Sequence, residues 1–494
     1  MKRRDFLAAS VGLISTHALG QIASPSRNRQ RCKDIIVVIP GITGSVLQVR
    51  GKDVWSPSFS AIFSAFSSLE RNLDSLTLKD DPVDEDDIGD GVTATALVPD
   101  LHLIPGFWKI DGYSTLRAQL FEQLELKEGE NYIEFPYDWR RDNRLAARRL
   151  ARQAPIWLKA WRQSSGQADA KLIILAHSMG GLVAQYFVEC LEGWRHSRAL
   201  VTIGTPFRGS LNALNFICNG LTMNMGPLKL ADLGPLFRSF TSAYQLLPRY
   251  PCISTGSGGL KRVVEVNDLP GLDAIRVRRG RAFLTEIEAH QKANAASAEY
   301  QSSDYALVPI AGGGQRTLQT ALFSSGTLAM SFDYPGESLL GDGTVPEVSS
   351  IPIEFDTDPR LASHVRVMTG LHASLQAMES VVSQIIGLIK VRGVLDKASF
   401  SGNSITKTAL HVEDIYDWIA PVVIECSTTA PTRRVTVSTI QLPTNTRLQV
   451  QQIDAGPKAR KISLGRLSIG TYRVEVSVPG AETVSDIFLV AGAK

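Results

Sequence analysis

Unbroken runs of aliphatic residues recur through the earlier part of the chain and predict buried strands. Residues 35–39 and 172–175 contain no polar side chain, which is typical of parallel strands that are covered on both faces. A third strand precedes the segment GTPFRGS at residues 204–210. Between the second and third strands, the apolar residues of segment 182–187 follow a helical spacing. Strands that alternate with helices predict an α/β fold, with a mostly parallel sheet and helices on both faces.

The pattern changes beyond about residue 406. Short segments with alternating apolar and polar residues, rich in β-branched side chains, follow one another with turn residues between them. In GTYRVEVSVPG, the apolar residues Tyr472, Val474, Val476 and Val478 share one face. Such segments predict a small antiparallel β sandwich at residues 406–494.

Length and composition limit the class of protein. A chain of 494 residues is too long for a single core of ordinary size, so we expect at least two domains. The net charge of +3 gives no reason to expect a nucleic-acid partner. The five cysteines are scattered and lack the CxxC spacing, which argues against a zinc site or a dense disulfide framework and leaves room for one bridge. We expect no metal ion.

The N-terminus resembles an export signal. MKRRDFLAASVGLISTHALG has a basic start and an apolar run, residues 6–19, that is too short to span a bilayer. The pair Arg3-Arg4 followed by Phe6-Leu7 is similar to a twin-arginine signal. Residues 1–25 therefore predict an exported, periplasmic or secreted protein; the alternative is an uncleaved segment on a cytoplasmic protein. No other segment approaches the ~18–20 apolar residues of a membrane helix, so we expect no transmembrane segment in the mature chain.

Two charged segments are interpreted as surface features. The acidic stretch at residues 80–90 is expected to form a solvated loop. The basic amphipathic segment at residues 142–161 is expected to form a helix whose arginines face solvent.

The segment KLIILAHSMGG carries the first candidate for chemistry. Ser178 follows a predicted strand and precedes a predicted helix, with Ala176 and Gly180 two residues to either side. Such a turn holds a serine on a sharp bend with its hydroxyl above the sheet, and only small residues fit beside it. The alternative is an ordinary serine in a turn.

A serine hydroxyl becomes a nucleophile only when a base takes its proton and a carboxylate orients that base. His372 follows a short strand in HVRVMTGLHASL and is the candidate base; His364 and His411 are the alternatives. Asp342, in the glycine-framed turn GDGTVP, is the candidate acid, although it could merely cap that turn. The backbone N–H groups of Ile42 and Met179 are the candidate oxyanion donors.

Five motifs together resemble the lecithin:cholesterol acyltransferase family. PGITGSVL, PYDWRRDN, AHSMGG, GTPFRGS and GDGTVP occur in that family's order between residues 35 and 389. The resemblance implies an α/β-hydrolase fold in which Ser178, Asp342 and His372 form a triad and Ile42 and Met179 bind the oxyanion. It also implies transfer or hydrolysis of fatty acyl groups from phospholipids through an acyl-serine, without a cofactor.

The chain departs from the family in two places. The family's sterol acyltransferases have a cysteine-clamped lid, but residues 51–74 contain no cysteine. The terminal β module lies outside the part that the family shares. We expect a hydrolase domain at residues 33–395, with a lid at about 51–75 and a cap at about 211–301.

The lid region has a pattern of its own. Phe59, Phe63 and Phe66 recur at helical spacing between small residues. Such a stripe either packs on a core or covers an acyl pocket and opens at a lipid surface. Trp55 matches a family tryptophan near the acyl site, and the alternative is an ordinary buried aromatic.

The sequence therefore predicts a serine lipid acyltransferase or lipase that acts on a phospholipid or related ester and contacts lipid surfaces transiently. A non-catalytic surface-binding protein on a hydrolase scaffold is the alternative from another class. A short-chain carboxylesterase is the third.

Overall fold

The computed structural model describes most of the chain: residues 29–55, 75–99, 101–104, 108–111, 113–225, 228–256, 258–335, 340–356, 365–392, 407–430, 434–442, 444–479 and 481–492. The expected export signal lies outside the described residues. So do Phe59, Phe63 and Phe66 of the expected lid, and His364. No helix within the described ranges is both long enough and apolar enough to cross a membrane.

A six-stranded sheet forms the centre of the chain. Its neighbours pair in parallel throughout, in the order β6-β5-β4-β3-β1-β2. In chain order these strands are β1 (Ile35–Ile39), β2 (Tyr132–Glu134), β3 (Leu172–His177), β4 (Ser197–Ile203), β5 (Ala306–Gly313) and β6 (Arg366–Thr369). The strand order reverses between β1 and β3, and ligands of such sheets bind at the carboxyl ends of the strands beside this switch point.

Helices cover both faces of this sheet. The longer ones are α1 (Ser114–Gln123), α2 (Asn143–Ser165), α3 (Met179–Cys190), α4 (Leu211–Asn219), α5 (Ala274–Ala295) and α6 (Glu379–Arg392). Alternate side chains of β1 enter two separate cores: Val37 packs in the core that contains α2 and α3, and Val38 packs in the core that contains α1 and α6. Burial on both faces explains the unbroken aliphatic runs. The predicted α/β-hydrolase fold is confirmed.

Smaller elements surround the sheet. Three strands form one small sheet (Lys52–Trp55, Ser45–Val49, Val92–Leu97), and four form another (Leu260–Lys261, Ile253–Ser254, Thr320–Ser324, Thr327–Ser331). The two-stranded pairs are Gln30–Arg31 with Leu124–Glu125, Leu101–Ile104 with Trp108–Asp111, and Thr222–Met225 with Leu228–Asp232. The short α-helices are Gly234–Ser239, Thr241–Gln245 and Ala298–Gln301, and the 3-10 turns are Gly193–Arg195, Val263–Glu265, Glu347–Ser349, Ile353–Asp356 and Leu375–Ala377.

The C-terminal part is a β sandwich, as its alternating pattern predicts, but it is not antiparallel throughout, because Ile415–Asp417 pairs in parallel with Val484–Ala491. A three-stranded sheet has the order Thr408–His411, Val422–Thr428, Arg460–Gly465, and a five-stranded sheet has the order Ile415–Asp417, Val484–Ala491, Gly470–Ser477, Arg434–Leu442, Thr446–Asp454. Side chains from both sheets, among them Ile424 and Val474, share one apolar core. We refer to these two sheets as the C-terminal sandwich. The domain boundaries expected from the sequence stay predictions.

The two charged segments bind each other, so the expectation that both are solvated is wrong in part. The Asp142 N–H, in the basic segment, donates to Asp81 Oδ2 in the acidic segment at 2.7 Å. Arg141, directly before the basic segment, forms an ion pair of 2.8 Å with the same aspartate, and both side chains are at most 6% exposed. Arg144, on α2, pairs with Asp142 and with Glu286 on α5. Local charge patterning gave no sign that Asp81 and Glu286 would lie beside this segment, because both are far from it in the chain.

The motif PYDWR holds the loop that follows β1. The Tyr137 hydroxyl donates a hydrogen bond to the Pro40 carbonyl at 3.0 Å, and the Trp139 indole N–H donates to the Ser45 carbonyl at 3.1 Å. Arg140 is fully buried and donates to the carboxylates of Asp138 and Asp90 and to a backbone carbonyl. The motif is therefore a scaffold beside the strand ends.

We expect Arg140→Ala to lower the free energy of unfolding by about 3 kcal/mol, because it removes a fully buried cation and leaves two carboxylates, 18% and 27% exposed, without that partner. Arg152→Ala is the matched control, because Arg152 pairs with an aspartate at 54% and 63% side-chain exposure. Its loss should be about 0–1 kcal/mol. Urea denaturation of both variants measures the difference, and equal losses would contradict this role for Arg140.

Candidate active site

Ser178 stands on a strained bend between β3 and α3. Its φ is +54° and its ψ is −126°, a conformation that non-glycine residues seldom adopt. Its N–H donates to the carbonyl of Ile203 at the end of β4. A Cβ on Gly180 would lie 2.4 Å from the Pro40 carbonyl oxygen, and one on Gly181 would lie 1.9 Å from Thr205 Oγ1. The small residues are thus needed for the sterically tight turn that the sequence predicts.

The structure brings Ser178, His372 and Asp342 together. His372 Nε2 lies 2.8 Å from Ser178 Oγ, and His372 Nδ1 lies 2.7 Å from Asp342 Oδ2. All three are buried, with exposures of 2%, 3% and 0%. Because a carboxylate can only accept, Nδ1 carries the proton and Nε2 is free to accept the serine proton. This arrangement can activate a hydroxyl as a nucleophile.

Asp342 makes the contacts that both sequence interpretations require, and its role as the acid stays a prediction. Its Oδ1 accepts hydrogen bonds from the N–H groups of Thr344 and Val345 at 2.9 and 2.7 Å, which caps the turn. Its Oδ2 accepts from His372, and its carbonyl accepts from the His372 N–H at 2.8 Å. The turn therefore fixes the carboxylate and the backbone of the histidine loop together.

The motif GTPFRGS makes room for this pair and holds its turn. Gly204 has a φ of +60°, and a Cβ there would lie 3.1 Å from both Asp342 Oδ2 and His372 Nδ1. Ser210, at the other end of the motif, donates from its hydroxyl to the Thr344 carbonyl at 2.6 Å. The end of β4 thus contacts the acid and the base.

The two expected oxyanion donors come from different parts of the chain, the residue after Ser178 and the loop after β1. Met179 is the first residue of α3. Ile42 follows Gly41, where a Cβ would lie only 2.8 Å from Ser178 Cβ and 3.4 Å from its Oγ. The loop after β1 therefore lies against the serine hydroxyl, where such a donor has to be. The assignment of the two N–H groups stays a prediction.

His177 and Tyr113 form a second chain of hydrogen bonds that the sequence did not indicate. The Gly41 N–H donates to the Tyr113 hydroxyl at 3.0 Å, and that hydroxyl lies 3.0 Å from His177 Nδ1. His177 Nε2 lies 3.1 Å from the His372 carbonyl oxygen, which requires the proton on Nε2. The chain links the loop after β1 to the base. The only feature of the sequence that could have indicated this chain is the histidine directly before Ser178.

The remaining candidates have other positions. Trp55 is 2% exposed, its indole N–H donates to the Thr43 carbonyl at 3.0 Å, and its ring packs edge-on against Trp139. These contacts fit the buried-aromatic alternative, and a place for Trp55 near an acyl site stays a prediction. His411, considered as a base, is 67% exposed and faces Glu413 in the C-terminal sandwich.

Within the described ranges, no group of three or more His, Cys, Asp or Glu side chains could hold a metal ion. The five cysteines all lie in those ranges, and none is bridged to another.

The comparison with protein families gives one match. The family model described as lecithin:cholesterol acyltransferase matches residues 108–294, which include Ser178 but not Asp342 or His372. This match confirms the resemblance over those residues, which contain three of the five motifs; PGITGSVL and GDGTVP lie outside them. No curated protein matches the chain.

Several solved structures are similar to this chain. The lipase BlEst2 of Bacillus licheniformis in its propeptide form is 10% identical, with 94% of each chain covered and a TM-score of 0.31. Its mature form is 13% identical, with 74% of this chain and 96% of that chain covered and a TM-score of 0.28. Phospholipase PlaB of Legionella pneumophila is 10% identical, with 92% and 89% covered and a TM-score of 0.24. Similarities of this size add nothing to what the sheet itself shows.

His177 makes the stability of the fold dependent on pH. Burial, followed by the neighbouring His372, lowers the pKa of His177 to about 3. Below about pH 6.5 an unfolded histidine takes up a proton that the folded protein excludes, so stability falls as the pH drops from about 6.5 toward 3. Each pH unit in this window costs about 1.4 kcal/mol.

The unaltered chain should lose stability when the pH falls from 7 to 5. We expect this loss to be about 2 kcal/mol smaller in His177→Gln, because the variant has no histidine to protonate at this position. Urea denaturation at both pH values measures the two differences. His411→Gln, which changes an exposed histidine, should leave the pH dependence unaltered. A pH dependence that is the same with and without His177 would show that its protonation is not coupled to folding.

Proposed function

We propose that this chain, similar over residues 108–294 to the lecithin:cholesterol acyltransferase family, is a serine-dependent lipid acyltransferase or lipase. Its substrate is a phospholipid or a related lipid ester. The observation that carries the proposal is the hydrogen-bonded series from Ser178 through His372 to Asp342, with steps of 2.8 and 2.7 Å at the carboxyl ends of the sheet.

The first half of the reaction forms an acyl-enzyme. Ser178 Oγ attacks the ester carbonyl as its proton passes to His372 Nε2, and Asp342 stabilises the imidazolium that results. The N–H groups of Ile42 and Met179 donate to the oxyanion of the tetrahedral intermediate. The bond from the carbonyl carbon to the lipid alcohol then breaks, and His372 gives its proton to the departing oxygen.

The second half returns the enzyme to its starting state. An alcohol or water gives its proton to His372 Nε2 while its oxygen attacks the acyl carbonyl. The bond to Ser178 Oγ breaks, and Oγ regains a proton from the histidine. An alcohol acceptor gives a new ester, and water gives a free fatty acid. The burial of the acid and base favours this chemistry, because hydrogen bonds to charge are stronger where water is excluded.

The setting of the reaction is part of the proposal. The basic and apolar pattern of residues 1–25 supports export of the protein, and the family match supports transient contact with a lipid surface. We assign catalysis to residues 33–395, where all the proposed site residues lie.

The proposal is tested with phosphatidylcholine vesicles that also contain a long-chain alcohol or a sterol, with products measured by mass spectrometry. Ser178→Ala should lower product formation by at least about a thousandfold, because a triad without its nucleophile retains little activity. New acyl esters would identify a transferase, and free fatty acid alone would identify a lipase.

Ser197→Ala is the matched control. Ser197 is a fully buried serine of β4 whose hydroxyl donates to the Gly193 carbonyl, away from the site. This variant should keep its activity. Equal lipid turnover by the unaltered chain and Ser178→Ala would refute the proposal. Turnover of short soluble esters without any lipid turnover would favour a carboxylesterase.

A further inference from the structure

The side chain of Gln315 joins the central sheet region to the C-terminal sandwich. It follows β5 closely, is 2% exposed, and donates from its amide to the Thr408 carbonyl at 3.0 Å. Its amide oxygen accepts from the Leu410 N–H at 3.1 Å. Thr408 and Leu410 belong to an edge strand of the three-stranded sheet. One glutamine therefore pairs with the edge of the sandwich as a neighbouring strand would.

The backbone of the same glutamine holds the turn that carries Asp342. Gln315 and Gly341 exchange two backbone hydrogen bonds of 2.8 and 2.9 Å. On the other side of Asp342, the Gly343 N–H donates to Thr317 Oγ1 at 2.9 Å, and that hydroxyl donates to the Gln315 carbonyl. The residues before and after the acid are thus tied to the segment that binds the sandwich.

The loop that carries His372 also contacts the sandwich. Leu371, directly before the histidine, packs against the sandwich core, and a Cβ on Gly343 would lie 3.2 Å from its Cδ2. Two residues after the histidine, the Ser374 hydroxyl donates to the Ser485 carbonyl at 3.2 Å. The segments that carry Asp342 and His372 are therefore both held by contacts with the C-terminal sandwich.

We propose that the C-terminal sandwich positions the active site, with Gln315 and Leu371 as the positioning residues that act through Asp342 and His372. This inference rests on the proposed function. It gives the sandwich a role in the rate of acyl transfer that does not depend on binding a partner. An error of about 1 Å in the placement of a reacting group can cost about a hundredfold in rate, so the support can matter without touching substrate.

Gln315→Met tests the proposal in the full chain, because methionine has a similar length but cannot replace the two hydrogen bonds. We expect kcat to fall by about ten- to a hundredfold per folded molecule, with KM changed by less than about twofold. The rate constant for phosphonylation of Ser178 by a small fluorophosphonate should fall in parallel. The strongly deshielded proton of the His372–Asp342 hydrogen bond should shift or broaden in one-dimensional NMR spectra.

Val474→Ala is the matched control, because Val474 is fully buried in the sandwich core and its substitution weakens the same module. Its activity per folded molecule should equal that of the unaltered chain. If Gln315→Met does not fold, Leu371→Ala serves in its place, since it removes an apolar contact without leaving polar groups unpaired.

The possible outcomes are distinct. Equal activities per folded molecule for the positioning variants and Val474→Ala would overturn the inference. Faster turnover by the positioning variants would also overturn it, because the sandwich would then restrain the site. If the unaltered chain is not labelled at Ser178, the proposed function itself fails. Labelling at Ser178 that the positioning variants leave unchanged would refute the positioning role alone.

Discussion

The candidate site depends on an approach of backbone segments that is closer than ordinary side chains allow. A Cβ on Gly41 would lie 2.8 Å from Ser178 Cβ, and one on Gly204 would lie 3.1 Å from Asp342 Oδ2. Because a side chain would not fit at either glycine, the strand-end loops pack against the site at backbone distance. Ser178 follows β3, His372 follows β6, and Asp342 lies in a turn that pairs with the segment after β5. Close packing of these segments allows the three side chains to reach hydrogen-bond distance. The glycines of the motifs are therefore the geometric basis of the site.

Burial creates an electrostatic requirement that the surrounding residues meet. A carboxylate without exposure is stable only when it accepts several hydrogen bonds, and Asp342 accepts from two backbone N–H groups and from His372. His177 meets the same requirement as a neutral ring, because Tyr113 and the His372 carbonyl satisfy both of its nitrogens. These groups let the site exclude water while every ring nitrogen keeps a partner. The C-terminal sandwich extends this support through Gln315.

The sequence predicted those features that local patterns specify. Continuous aliphatic runs indicated the parallel strands, and small residues around Ser178 indicated the bend, because both depend on neighbours within a few positions. The interactions that the sequence did not reveal join distant residues. Tyr113 and His177 are 64 positions apart, and Gln315 lies 93 positions from Thr408. Hydrogen bonds between distant buried polar residues leave no periodic pattern in the sequence. Their partners can therefore be identified only from the folded structure.

The most direct test of the central claim is to trap the acyl group on the protein. The chain would be quenched in acid during phospholipid turnover, digested, and examined by peptide mass spectrometry. We expect a fatty acyl mass on the peptide that contains Ser178, and on no other peptide. Acylation of a different residue during turnover would contradict this claim. Continued turnover by Ser178→Ala without any acylated peptide would contradict it as well.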